Sequence, residues 1–133
     1  MSDPGVLTIL DVDANGLELT RFELEFGTGS ESVRALLSAR IVADLERIEP
    51  DFPERHVALV QPLRSRERGD EIELFTPPVV DMQAQLAAAE AGFDRQDFNI
   101  WLDGKAVLSL DEQIDAGLID EVRFVRYSLM IGG

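Results

Sequence analysis

The chain has 133 residues, 45% of them hydrophobic, enough for one globular domain that builds its own core without covalent staples. It has no cysteine and one histidine, His56, which excludes disulfides, thiolate metal sites and a cysteine nucleophile, leaves no second imidazole for a histidine-rich zinc site, and confines any serine triad to that residue. Twenty-six Asp and Glu against twelve Lys and Arg give a net charge of −14, which repels phosphate backbones and anionic membranes and steers in a basic protein surface, or simply keeps the chain soluble.

Val6 to Val12 and Leu17 to Phe26 have the β-branched and aromatic crowding of strands, and Asn15-Gly16 between them is a hairpin signal. The two should pair antiparallel, with a bulge near Thr20-Arg21 where the apolar phase of the second slips. A helix is expected from Glu31 to Ile48. Ser30 would cap it, Val33, Leu36, Leu37, Ile41, Leu45 and Ile48 would form its apolar stripe, and Pro50 would end it.

The stretch from Glu49 to Gln96 carries weaker signals. Val57 to Val60 reads as a strand or a buried extended segment, and Arg64 to Glu71 as a solvated mixed-charge loop, its three arginines offering a small anion site as the alternative. After Pro77-Pro78 a second helix is expected from Val79 to Ala91, stopped by Gly92. Phe98 to Leu102 then alternates as a strand, turns through Asp103-Gly104 and returns from Lys105 to Leu108. Tight turns anchored by Leu110, Ile114 and Ile119 lead into a last strand, from Glu121 to Leu129 or Met130.

Little in the chain has the pattern of a catalytic site. Asp11 to Gly16 opens like a calcium loop, but its twelfth position is Phe22 instead of a bidentate glutamate, and its flanks read as strands. Gly27-Thr28-Gly29-Ser30 lacks the lysine and spacing of a phosphate loop. The acidic pairs Asp44 with Glu46 and Asp111 with Glu112 read as solvated faces. No enzyme activity, cofactor or metal is expected. No apolar run reaches the ~18 residues of a membrane span, and Met1 to Gly5 has no signal-peptide character. The expected location is the cytoplasm, with neither nucleic acid nor membrane as partner.

The end of the sequence is more specific. Gly132-Gly133 follows a strand directly, and two residues without side chains make a thin segment able to enter a narrow site where a Cβ would clash. From Phe98 to Gly133 the chain resembles the C-terminal half of ubiquitin and its relatives. The resemblance rests on the strand Asn99 to Leu102 with its turn Asp103-Gly104-Lys105, on Leu110-Asp111-Glu112, on the isoleucine-bearing region Ile114 to Ile119, and on the strand Glu121 to Leu129 before Gly-Gly. The first 48 residues repeat the family's order of hairpin then helix. The chain departs from ubiquitin in the long segment 49–96 and in Leu129-Met130-Ile131, where ubiquitin has arginines.

The resemblance implies a single α+β domain over residues 1–133, a β-grasp with a mixed sheet packed on a helix. Residues 49–96 would be an insertion carrying a second helix between the first helix and the third strand, and residues 130–133 a flexible tail. It also implies a ubiquitin-like modifier of bacterial type. The Gly133 carboxylate would be adenylated by a partner activating enzyme, passed to a cysteine of a conjugating enzyme and joined to target amines, with Gly132 clearing the way. The alternatives are a sulfur carrier bearing a C-terminal thiocarboxylate, and an interaction subunit whose Gly-Gly is incidental. Alternation adds a partner surface. With Phe98, Ile100, Leu102, Val122 and Phe124 facing the core, Trp101, Val125 and Tyr127 share the opposite face, exposed for docking or covered by the second helix. Leu129, Met130 and Ile131 complete the expected contact set.

Overall fold

The structure is a computed structural model and describes residues 5–47, 58–62, 64–75, 77, 80–128 and 130, apart from the side chains of residues 64, 65 and 74. Its first two strands are β1 (Val6–Asp13) and β2 (Glu18–Glu25), paired antiparallel with Ile9 opposite Phe22 and Leu7 opposite Leu24. The turn between them is one residue longer than a two-residue Asn-Gly hairpin. Asp13 accepts the Gly16 N–H on its carbonyl and the Asn15 and Leu17 N–H groups on its carboxylate, and only Gly16 takes a positive φ, 88°. The register slips between Asp11 and Val12, which leaves Leu19 as the extra residue, one place before the expected bulge.

Helix α1 runs Val33–Glu46 and is capped by Ser32, whose hydroxyl accepts the Ala35 N–H. The start lies two residues later than the sequence suggested because Ser30–Ser32 is a short strand, β3, paired with a strand expected only as a turn. Val33, Leu36, Leu37 and Ile41 are buried as expected. Ile48, Pro50, His56 and Val57 lie outside the described residues. Ala58, Leu59 and Val60 are buried without forming a strand.

The expected loop at Arg64 to Glu71 is instead a hairpin, β4 (Arg64–Arg68) with β5 (Glu71–Phe75). Charge hid it: Arg66 stands opposite Glu73 and Arg68 opposite Glu71, and both arginines pair with Glu73, so cross-strand ion pairs take the place of the usual apolar alternation. Gly69, the first of its two turn residues, supplies the positive φ, 63°. Helix α2 (Met82–Asp94) is capped by Asp81, and Gly92 lies inside it as a buried residue, where the sequence placed a stop.

Four strands and a 3-10 turn then complete the frame: β6 (Phe98–Leu102), β7 (Lys105–Ala106), β8 (Gln113–Asp115, the partner of β3), the turn at Ala116–Leu118, and β9 (Glu121–Arg126). Asp103 and Gly104, both at positive φ (47° and 84°), make the tight turn expected between β6 and β7. The main sheet has the order β2-β1-β9-β6-β7, with β9 central, parallel to β1 and antiparallel to β6. This is an α+β fold, a mixed five-stranded sheet with helix α1 across one face, compatible with a β-grasp. Leu7, Ile9, Phe98, Ile100, Val122 and Phe124 from the sheet meet Leu36, Leu37 and Ile41 from α1 in one core.

Candidate functional site

The outer face of the sheet and the chain that follows β9 bring together most of the described candidate residues. Along β6, Phe98 and Ile100 are fully buried, with Leu102 packed against the core. Alternation sends Asn99 and Trp101 the other way. Along β9, Val122 and Phe124 face the core and Arg123, Val125 and then Tyr127 face outward. Trp101, Gly104, Glu121, Arg123, Val125 and Tyr127 line an open hollow of about 400 Å³ on this face.

Tyr127 is 52% exposed and its hydroxyl accepts a hydrogen bond from Asn99 Nδ2 at 3.2 Å, which orients the ring over the face. Arg123 pairs with Glu121 at 3.2 Å, so the hollow carries an ion pair beside its aromatic walls. Register extends the surface to residues that sequence reasoning missed: Leu10 stands next to Arg123 and Val12 next to Val125 on β1, both on the outward phase yet buried between their neighbours. Their signal was present as an apolar run on both phases of β1.

The second helix does not lie over this face. Its Ala89 is in the core, Phe93 meets the core residue Phe98 edge to face at 5.9 Å, and Glu90 pairs with Arg34 of α1 at 3.0 Å. Helix α2 therefore packs beside α1, on the opposite side of the sheet from Trp101 and Tyr127.

The core side contains a buried charge cluster, of which the sequence reading places only Asp44 in solvent. Arg40 of α1 is fully buried and makes a bidentate pair with Asp11 of β1, both bonds 2.6 Å, while its Nε reaches Asp44 at 2.9 Å. Asp44 also accepts the Leu59 N–H at 2.9 Å. Burial alone would lower the Arg40 pKa, but the hydrogen bond and charge of Asp11 and the charge of Asp44 outweigh it and raise the value. Arg126, donating to the Leu59 carbonyl at 3.2 Å, goes the other way: burial lowers it, and nearby Arg40 adds to the effect against the pull of Asp11 and Asp44. Asp44 is thus buried, in correction of the solvated face expected with Glu46. A signal existed: Arg40 and Asp44 sit four apart inside the apolar stripe of α1, and Asp11 continues the core phase of Leu7 and Ile9.

After β9 the chain stays attached. The Asp97 carbonyl accepts the Tyr127 and Ser128 N–H groups at 2.8 and 3.1 Å, and the Met130 carbonyl accepts the Gln61 N–H at 2.8 Å. Met130 is 3% exposed and belongs to the core, a correction to its expected place in a flexible, partner-facing tail. Its sulfur occupies the space a Cβ on Gly92 would need, which accounts for a glycine inside α2. Leu129, Ile131, Gly132 and Gly133 lie outside the described residues. Among the described residues no three His, Cys, Asp or Glu converge for a metal, and no helix is long and apolar enough to cross a membrane. No protein-family model, curated protein or solved structure matches the chain.

Proposed function

We propose that the chain is a ubiquitin-like protein modifier, with Gly133 as the reacting carboxylate. The observation that carries this reading is the strand order β2-β1-β9-β6-β7, with β9 between the first hairpin and β6, and Gly132-Gly133 six and seven residues beyond Arg126 in the sequence. In the full β-grasp reading, the β4–β5 hairpin and α2 belong to an insertion between the helix and the third strand of the grasp. The chemistry lies in partners. A carboxylate oxygen of Gly133 attacks the α-phosphorus of ATP and pyrophosphate leaves. The acyl-adenylate then passes to a cysteine thiol with loss of AMP, and a target amine displaces that thiol to leave an amide. Gly132, without a Cβ, lets the carboxylate enter a narrow site.

Trp101, Val125 and Tyr127 form the docking surface for the activating or conjugating enzyme in this reading. Exposed aromatic side chains supply large contact area at low entropic cost, and the net charge of −14 favours a partner with a basic rim.

The test uses the full chain with an N-terminal tag in native lysate of its source, with and without ATP, followed by intact mass and peptide mapping. The expected result is an ATP-dependent, thiol-resistant adduct with Gly133 joined to a lysine, absent after Gly133 is deleted. A mass gain equal to sulfur in place of oxygen, with no protein adduct, would make the chain a sulfur carrier. A deletion variant that supports the cellular role as well as the full chain would leave an interaction subunit.

A further inference from the structure

We propose, resting on the modifier reading only for its consequence, that Met130 is the positioning residue of the C-terminus: seated against Gly92 and tied to Gln61, it sets how far Gly132 and Gly133 reach. Three contacts fix the seat. The Met130 side chain is buried in the core, its sulfur takes the volume left free by Gly92, and its carbonyl is bonded to the Gln61 N–H. The Gln61 side of this contact is itself anchored, because Leu59 donates its N–H to Asp44 and accepts from Arg126. Met130 is thereby linked through a five-residue segment, 58–62, to the buried charge cluster of α1 and β1.

Chain geometry gives the consequence. From a seated Met130, the three residues to Gly133 span at most about 11 Å, because an extended residue covers no more than ~3.6 Å. With Met130 unseated, the last fixed point moves back to Ser128, held by the Asp97 carbonyl, and the five residues beyond it span at most about 18 Å. A partner site deeper than the shorter span receives the carboxylate only after Met130 leaves its seat. The energy holding the latch is the burial of one flexible, unbranched side chain plus one backbone hydrogen bond, small enough for a docking partner to supply.

Carboxypeptidase trimming of the full chain, read by intact mass, tests the latch without any partner. Wild type and Met130→Leu should keep residue 130, since leucine of similar volume retains the seat. Met130→Ala, and Gly92→Ala, which crowds the sulfur without altering the tail sequence, should lose residue 130 about tenfold faster as part of the side chain's burial energy is forfeited. In the same two variants, hydrogen exchange at the Gln61 amide should accelerate while the β1 and β9 amides keep their protection, a pattern that general destabilisation would not produce. Loss of residue 130 from wild type at the rate of the alanine variants overturns the latch. If trimming behaves as expected but no variant is adenylated, the latch stands and the modifier reading falls. If all four proteins are adenylated at one rate, the modifier reading stands and the positioning role falls.

Discussion

Two regions of the molecule are built from the same parts and differ in where they sit. In the core, Arg40 lies between two carboxylates, Asp11 and Asp44, with its guanidinium over the Phe124 ring at 4.8 Å. On the β4–β5 hairpin, Arg66 binds Glu73 at 2.9 Å and lies over the Phe75 ring at 4.7 Å. The first arginine is wholly buried and the second is half exposed. In the core no water can replace a lost partner, so each member of the cluster is held in place by the penalty of stranding the others. On the hairpin, solvent screens the pair and takes over whichever group is left, so the ion pair sets cross-strand register and little else. The buried cluster therefore specifies how α1 sits on β1, whereas the hairpin cluster lets a charged ribbon form with few apolar residues.

The largest effect should come from Arg40→Met. The substitution keeps the apolar stem and leaves two carboxylates buried without the cation between them, a change that costs about 3–5 kcal/mol. Chemical denaturation would show it as a lower midpoint at an unchanged slope. A loss under about 1 kcal/mol would mean that water reaches Asp11 and Asp44, and the contrast with the hairpin would collapse.

Replacing the whole cluster sharpens the same contrast. Asp11→Leu, Arg40→Met and Asp44→Asn together remove the three fully buried charges of the cluster, while the asparagine amide oxygen still accepts the Leu59 N–H. Stability should return to within about 1–2 kcal/mol of wild type, since exchanging a buried ion cluster for apolar groups is often neutral. If the triple variant stays as unstable as Arg40→Met, packing volume rather than stranded charge carries the cost.

This division also separates what was legible in the sequence from what was not. The β1–β2 and β6–β7 hairpins, α1 and the phase of β6 and β9 could be read because each is an apolar pattern at a strand or helix period with a turn or cap residue at its end. Hence Trp101, Val125 and Tyr127 were correctly placed together on the outer face. The hairpin at Arg64–Phe75 was missed because its alternation is in charge, and β3 with β8 because three residues are too few for any period to appear. Asp44 was given to solvent by residue type alone, a rule that fails when a carboxylate meets an arginine four residues earlier on the same helix under a third partner from a distant strand. Gly92 misled in a similar way. A glycine near the end of a helical pattern reads as a stop, and only the position of Met130, 38 residues later in sequence, shows that it makes room for a sulfur.

A smaller effect is expected on the outer face. Tyr127→Asp should change stability by no more than about 0.5 kcal/mol, since the ring is half exposed and gives up one hydrogen bond from Asn99. The same change should weaken binding to the activating enzyme, measured by titration calorimetry at physiological salt. A stability loss of several kcal/mol would mean that the face is structural, and would place Tyr127 with the core cluster rather than with the hairpin.

The smallest effect is a local response of the hairpin to acid. Hydrogen bonding from Arg66, aided by the charges of Arg66 and Arg68, holds the Glu73 carboxyl below its ordinary range despite some desolvation. A carboxyl lowered by folding contributes stability in full above its unfolded value, roughly 4.3, and loses that contribution as the pH falls through its folded value. Between neutral pH and about 5 the hairpin should therefore be unaffected, and below ~4.3 its pairing should loosen before that of the main sheet. Nuclear Overhauser contacts between Glu67 and Ile72, which face each other across β4 and β5, report the change directly. Glu73→Gln should flatten that response, because the amide is not protonated in this range and any hydrogen bond its oxygen accepts from Arg66 does not change with pH. If the variant and wild type lose the Glu67–Ile72 contacts at the same pH, the loosening originates in other carboxylates, and the Arg66–Glu73 pair holds nothing that the solvent does not already offer.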